Sequence, residues 1–244
     1  MMQSAECKMR SAKHKTQKCK SYFACCILYF TICIFTAAAG AQVKGPGAQF
    51  TVARLKYGGG GDWYDGPSGT VNLLKFLRQQ THVDAAAQEA RVGVMDEDFF
   101  AYPFYYMTGH GNVRFTEEEA ARLRTYLENG GFLFANDDYG MDPAFRREMK
   151  RVFPDKDLVE IPPSHGIFHS LFDFPEGLPK IHEHDGGPPH AYGIFCGKRL
   201  VVFYDFDTDI ADGWDDPEVH QDPLEKREAA LRMGANIVVW ALTN

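Results

Sequence analysis

Eight histidines follow residue 41, and five of them crowd between His165 and His190. In His182-x-His184 the two imidazoles fall on one side of an extended segment, because alternate side chains of a strand share a face. Asp185 beside them could be a further ligand, or an acceptor that fixes an imidazole tautomer. A divalent metal such as zinc needs three or four nitrogen, oxygen or sulfur ligands, with one position open where the ion is catalytic. This chain could supply them from His182, His184, Asp185 and one of His110 or Asp137. The plainer reading has His182 and His184 bonding backbone in a structured loop, and without cysteine ligands the spacing is not diagnostic. His165 and His169 would share a face only on a helix, which Pro162, Pro163 and Gly166 oppose.

Acidic residues offer a second set. Asp137-Asp138 follows the apolar run 132–135, where a ligand-facing carboxylate would stand. Adjacent side chains diverge on a strand, so one of the pair faces any crevice there. Asp137 could serve as a general base or metal ligand, or one of the pair could cap a following turn. His110, between Gly109 and Gly111, holds the same place after the run 104–108, and its glycines imply a tight turn. Asp205-x-Asp207-x-Asp209 continues to Asp212, Asp215 and Asp216, with acids at positions 1, 3, 5 and 12 of a calcium loop. Ile210 stands where that loop needs its glycine, which rejects an EF-hand. On a strand the three acids would share one face, and solvent could cover it.

A third set is the string Gly58, Gly59, Gly60, Gly61, Asp62, Trp63, Tyr64, directly after a strand-like run. Glycines there allow positive φ or close backbone approach. In an open α/β sheet, ligands bind in the crevice at the carboxyl ends of the strands. These seven residues are therefore candidate ligand contacts, with Trp63 and Tyr64 offering flat faces for a sugar ring or another planar group; ordinary core packing is their alternative. Tyr64 occupies the third glycine of a dinucleotide fingerprint, and no Gly-Lys-Ser/Thr loop occurs.

The elements that must position these residues alternate along the chain. Strand-like segments fall at 50–57, 91–94, 104–108 and 132–135. A helix is expected over 68–80, with Val71, Leu74 and Leu77 at helical spacing. Thr116 and Glu119 form a capping box ahead of a stripe of Ala120, Leu123 and Leu127. Asp142-Pro143 opens a helix to about Val152, with Asp142 as cap. Residues 191–196 and 200–204 read as a hairpin. A last helix spans 224–242, with Leu231, Ala235, Val238 and Leu242 as its apolar face. Strands alternating with helices imply an α/β fold with a mostly parallel sheet covered on both faces, made mixed by the late hairpin.

The first 41 residues carry Lys8, Arg10, Lys13, Lys15, Lys18 and Lys20, an apolar run at 22–35, and Ala39-Gly40-Ala41. This reads as a secretory signal peptide cleaved before Gln42; the alternative is an uncleaved N-terminal membrane anchor. Residues 42–49 then form a short linker and 50–244 a single domain. Without the segment's six basic residues and one acid, 20 Lys and Arg face 32 Asp and Glu, a formal charge of −12. Such acidity argues against nucleic acid as a partner. Cys196 is the one cysteine left, so the exported part closes no internal disulfide.

Several motifs resemble a bacterial family, domain of unknown function 4159. They are the string 57–64, Tyr106-Met107-Thr108-Gly109-His110-Gly111, and the segment 131–140 through Asn136-Asp137-Asp138-Tyr139-Gly140. Leu178-Pro179-Lys180-Ile181-His182-Glu183-His184-Asp185 and Gly213-Trp214-Asp215-Asp216-Pro217-Glu218-Val219-His220 complete the set. The resemblance covers about 50–243 and implies a flavodoxin-like, class I glutamine amidotransferase-like three-layer sandwich. Such enzymes carry a nucleophilic cysteine after a central strand. Here that place reads Asn136-Asp137-Asp138, and Cys196 lies in the hairpin, so glutaminase chemistry is rejected. The reading that follows is a noncatalytic ligand-binding or accessory protein of the cell envelope. Its partner would be a small molecule or an envelope protein, with membrane contact only if the signal stays uncleaved. The alternatives are a metal-dependent hydrolase using His110, Asp137, His182, His184 and Asp185 around one divalent ion, and a purely structural envelope protein.

Overall fold

The strongly apolar runs of the chain pair into one seven-stranded sheet in the order β2-β1-β3-β4-β7-β6-β5. The computed structural model describes residues 49–182 and 184–244. The expected signal peptide (1–41) and nearly all of the expected linker (42–49) lie outside the described residues. The strands are β1 (Ala53–Lys56), β2 (Ala90–Gly93), β3 (Phe104–Met107), β4 (Phe132–Asn136), β5 (Val159–Glu160), β6 (His190–Cys196) and β7 (Arg199–Phe206). Strands β2, β1, β3, β4 and β7 run parallel, with Tyr106 opposite Phe134 and Phe134 opposite Phe203. Strands β6 and β5 are antiparallel additions at one edge. Among the described residues, five helices accompany them: α1 (Gly69–Gln80), α2 (Glu117–Glu128), α3 (Asp142–Val152), the single turn α4 (Pro217–His220) and α5 (Leu224–Thr243).

Alternation along each strand divides the core in two. Leu55, Tyr105, Met107, Leu133, Ala135 and Tyr204 face one side, where α2 brings Leu123 and Leu127 and α3 brings Phe145 and Met149. Val52, Phe104, Tyr106, Phe134 and Phe203 face the other, against Leu74 and Leu77 of α1, Ile237 of α5 and Trp214. Burying one such side chain stabilises by about 1.5–3 kcal/mol. Both faces being covered explains why the central strands read as unbroken apolar runs. Among the described residues, no helix is long and apolar enough to cross a membrane.

The structure corrects the sequence reading at several points. Strand β1 is shorter than 50–57, and Phe50 makes only an isolated bridge to Ala85. The capping box forms, with the Glu119 amide donating to Thr116 Oγ1 and the Thr116 amide to Glu119. Asp142 is the first residue of α3 rather than its cap; Met141 holds that place, and its amide donates to Asp137 Oδ1 at 2.9 Å. The buried face of α5 is Ala230, Met233, Gly234, Ala235, Asn236, Ile237 and Val238, whereas Leu242 is exposed. Its first half is charged and its second half, from Met233, is apolar on most sides, so periodicity alone misplaces its face.

Candidate functional site

Because β1, β3, β4 and β7 are parallel, whatever follows each of them meets at one edge of the sheet. Those segments begin at Tyr57, Thr108, Asp137 and Asp207. Antiparallel β6 starts at the same edge, His190 opposite Phe206, so the loop before it, carrying His182 and His184, joins them. The chain leaves β1 toward β2 on one side and returns to β3 on the other, which opens a crevice between the loops after β1 and β3.

The glycine string serves that junction. The Arg114 amide donates to Gly58 O at 2.8 Å, the Gly61 amide to Asn112 O at 3.0 Å, and Asn112 Nδ2 to Gly59 O at 2.9 Å. A Cβ on Gly61 would stand 2.8 Å from Asn112 O and 2.9 Å from His110 O; on Gly59, at φ +106°, it would stand 2.8 Å from the Arg114 amide. Gly60 alone meets nothing within 4 Å. Three of the four glycines thus make loop-to-loop backbone contacts. Asp62 then clamps His110: Oδ1 accepts the His110 amide at 2.5 Å, and Oδ2 lies 3.0 Å from Nδ1. Burial raises the Asp62 carboxyl, but the His110 amide and ring outweigh it and hold the group below its usual range. Trp63 packs half-buried on the core, edge-on to an exposed Tyr64.

Of the acidic pair, Asp138 and not Asp137 turns to the crevice. Asp137 is tied inward, to the Met141 amide and to the Tyr204 hydroxyl at 3.1 Å, and burial raises its carboxyl to about 6. Asp138 is 4 % exposed, and its Oδ2 lies 3.2 Å from His110 Nδ1, the nitrogen already 3.0 Å from Asp62. Its other near neighbours are the carboxyl groups of Asp65, Asp209 and Asp212. Burial, with the adjacent Asp209 charge, pushes the Asp138 carboxyl far up.

Asp209 is the hub. It is wholly buried at φ +53°, a conformation in which Asp is enriched among non-glycine residues. Asn136, also wholly buried, donates to Asp209 Oδ1 at 3.0 Å and Thr108 Oγ1 at 3.2 Å, while accepting the Ala211 amide at 3.0 Å. Asp209 Oδ2 faces His184 Nε2 at 3.2 Å and His182 Nδ1 at 3.8 Å. His182 Nδ1 also stands 2.9 Å from Asp212 Oδ2, and its Nε2 is 3.0 Å from Asp222 Oδ2. His220 lies between Asp212 (3.4 Å) and Asp215 (3.5 Å). The Asp209 and Asp212 carboxylates raise His182 to about 10, and Asp209 raises His184. Burial would raise Asp209 itself, yet His182 and His184 hold it well below the carboxylate range.

The expected trio His182, His184 and Asp185 is only partly assembled. The two imidazoles converge, but Asp185 contributes its amide, donated to Asp207 Oδ1 at 3.2 Å. Asp207 accepts Lys180 Nζ (2.7 Å) and the amides of His184 (3.3 Å) and Gly187 (2.7 Å), pinning the loop. Asp205, Asp207 and Asp209 are all buried, not solvated on one strand face, because β7 ends at Phe206 and the chain turns inward. His165 and His169 stay apart from the crevice: one packs on Trp240, the other pairs with Asp173. Cys196, at the far end of β6, is at the opposite edge of the sheet, its thiol raised by burial.

Asn136, His220 and Asp222 were not singled out from sequence; Asp138 was read only as one of a pair, and Asp209 and Asp212 only as part of an acidic string. Among the described residues, four groups of three candidate ligand atoms lie mutually within 4.8 Å: His182/His184/Asp209, His182/Asp212/His220, Asp62/Asp65/His110 and Asp138/Asp209/Asp212. The acids after β7 were visible as a string, but only the turn at residues 207–212 aims them inward. Chemically, imidazoles paired with carboxylates can hold a cation or exchange protons, and their charge repels anions.

A comparison with curated proteins gives no match. The family model described as "Domain of unknown function (DUF4159)" matches residues 51–242, all five motif segments within it, and the chain belongs to that family.

Proposed function

We propose that this protein is an exported ligand-binding domain, an accessory protein of the cell envelope, that takes a neutral or cationic small molecule in the strand-end crevice. Residues 50–244 would be the single domain left once a signal peptide at 1–41 is removed. The flavodoxin-like, amidotransferase-like assignment draws support from the parallel strand order β2-β1-β3-β4-β7, which corresponds to the order 2-1-3-4-5 of that architecture. On that assignment Asp137 and Asp138 would take the place of the nucleophile, which speaks for binding over glutaminase chemistry.

One observation carries the ligand class. Asp62, Asp65, Asp138, Asp209, Asp212 and Asp222 converge with imidazoles, while the nearby Lys180, Lys226 and Arg227 are engaged with Asp207, Ile181 O and Asp215 O. A site so charged disfavours phosphates and carboxylates by several kT. Exposed Tyr64, and Tyr139 lying 5.2 Å from the His184 ring at a tilt of 30°, offer faces for a sugar or an alkylammonium group. A thermal-shift series over neutral saccharides, polyamines, sugar phosphates and nucleotides tests this. Stabilisation by saccharides or polyamines, lost in Tyr139→Ala, is expected. Stabilisation by the phosphates alone, or by no member, would overturn it.

A further inference from the structure

The His182 ring meets carboxylates at both nitrogens. Its Nε2 is 3.0 Å from Asp222 Oδ2, and its Nδ1 lies 2.9 Å from Asp212 Oδ2 and 3.8 Å from Asp209 Oδ2. His184 Nε2 faces the same Asp209 oxygen at 3.2 Å, and His182, His184 and Asp209 each bring a ligand atom within 4.8 Å of the other two. Asp138, 4 % exposed, forms a second such group with Asp209 and Asp212. Asp215 lies on the far side of His220: its Oδ2 is buried without a hydrogen-bond partner, 3.5 Å from His220 Nε2.

We propose that the floor of the crevice is a divalent transition-metal site, with His182 Nδ1, His184 Nε2 and Asp209 Oδ2 as ligands, Asp212 in the fourth position and Asp138 beside it. The proposal rests on the crevice being the ligand site, and gives that site a cation to meet an oxygen or nitrogen of the ligand. An ion about 2.0–2.1 Å from each of four tetrahedral ligands sets them about 3.3 Å apart. Three of the six edges, 2.9, 3.2 and 3.8 Å, straddle that value, and His182, His184 and Asp209 lie mutually within 4.8 Å. Two imidazoles favour zinc, cobalt, nickel or iron over magnesium or calcium, which take oxygen ligands. Around the shell, Asp222 orients His182 through Nε2–H, and Asn136 orients Asp209 through Oδ1. Such supporting bonds make ligands rigid and basic, and their loss typically costs 10–100-fold in metal affinity.

Titration calorimetry of the purified protein with Zn²⁺, and with Co²⁺ followed by visible absorption, tests the assignment. One equivalent should bind, with a cobalt band characteristic of a low-coordinate nitrogen/oxygen site. His184→Ala should weaken binding at least tenfold, and Asp222→Asn by about 10–100-fold, each with a wild-type circular dichroism spectrum. Both positions are near the surface of the cluster, so the comparison does not depend on the buried Asp209 tolerating change. Substoichiometric binding to folded wild type, or unchanged affinity in both variants, would overturn the metal site. Repeating the saccharide and polyamine series with and without EDTA separates the two readings. Ligand shifts that persist without metal, alongside absent Zn²⁺ binding, sink the metal site alone; Zn²⁺ binding with no shift by any probe sinks the small-molecule reading alone.

Discussion

Alanine at Gly61 and at Gly60 separates two roles for the glycine string: backbone contact between loops, and a cradle for ligand. Gly61 needs no positive φ, so the cost of a methyl there is purely steric. Its Cβ would press on Asn112 O at 2.8 Å and on His110 O and Tyr57 Oη at 2.9 Å. Two of these are backbone atoms of the loop that carries His110, so relief requires moving that loop. Overpacking of this kind costs about 1–3 kcal/mol, offset by about 0.4–1 kcal/mol from the stiffer unfolded chain. The net is about 1–2 kcal/mol, and with a urea m-value of about 2 kcal/mol/M the midpoint falls by about 0.5–1 M. Gly60, at φ +92° with open space around it, costs only the positive-φ strain, about 1–2 kcal/mol before the same offset. Urea unfolding of both variants, monitored by fluorescence of the three tryptophans, therefore places Gly61→Ala below Gly60→Ala in midpoint. A Gly61→Ala protein as stable as wild type, or the reverse order, would refute the loop-contact reading.

Other outcomes follow from the same geometry. Asn136→Ala strips partners from Asp209, Thr108 and the Ala211 amide in the buried interior, and should cost about 2–4 kcal/mol in urea unfolding as well as weakening Zn²⁺ binding. Glu148 is raised by burial but held lower overall by the Phe115 amide, Arg147 and Arg151. A depressed carboxyl contributes stability above its unfolded value, about 4.3, and loses it as pH falls through the folded value. Glu148→Gln should therefore be less stable than wild type at pH 7, with the gap closing toward pH 3; a gap that is constant across pH contradicts the ion-pair account. If the first 41 residues are a signal peptide, N-terminal sequencing of the exported protein starts at Gln42, and an intact Met1 terminus in the membrane fraction shows an anchor instead.

Much of the scaffold was legible because burial on both faces writes itself into strands. Residues 132–135 and Phe104–Met107 are apolar runs, and Thr116 with Glu119 announces its helix through local bonding alone. What failed was set by distant packing. Helix α5 lays Gly234 against Trp214, a contact no periodicity encodes. At the site, His110 and the Asp137-Asp138 pair could be placed because parallel strands bring their carboxyl ends to one edge. Which of the pair faces the crevice depended on Tyr204 and Met141 capturing Asp137. Asp185 was chosen as the sequence neighbour of His184, whereas Asp209, 25 residues away, is its neighbour in space. The left-handed turns at Asp207 and Asp209 make that difference, and nothing in the alternating acids marks them as turns.

Anomalous diffraction from crystals grown with Co²⁺ or Zn²⁺, collected on both sides of the metal edge, bears most directly on the claim that the crevice floor holds a cation. The account predicts one strong peak within about 2.0–2.3 Å of His182 Nδ1, His184 Nε2 and an Asp209 carboxylate oxygen. A peak at the exposed His169–Asp173 or His190–Glu160 pairs with none at His182, or no peak at saturating metal, would contradict it.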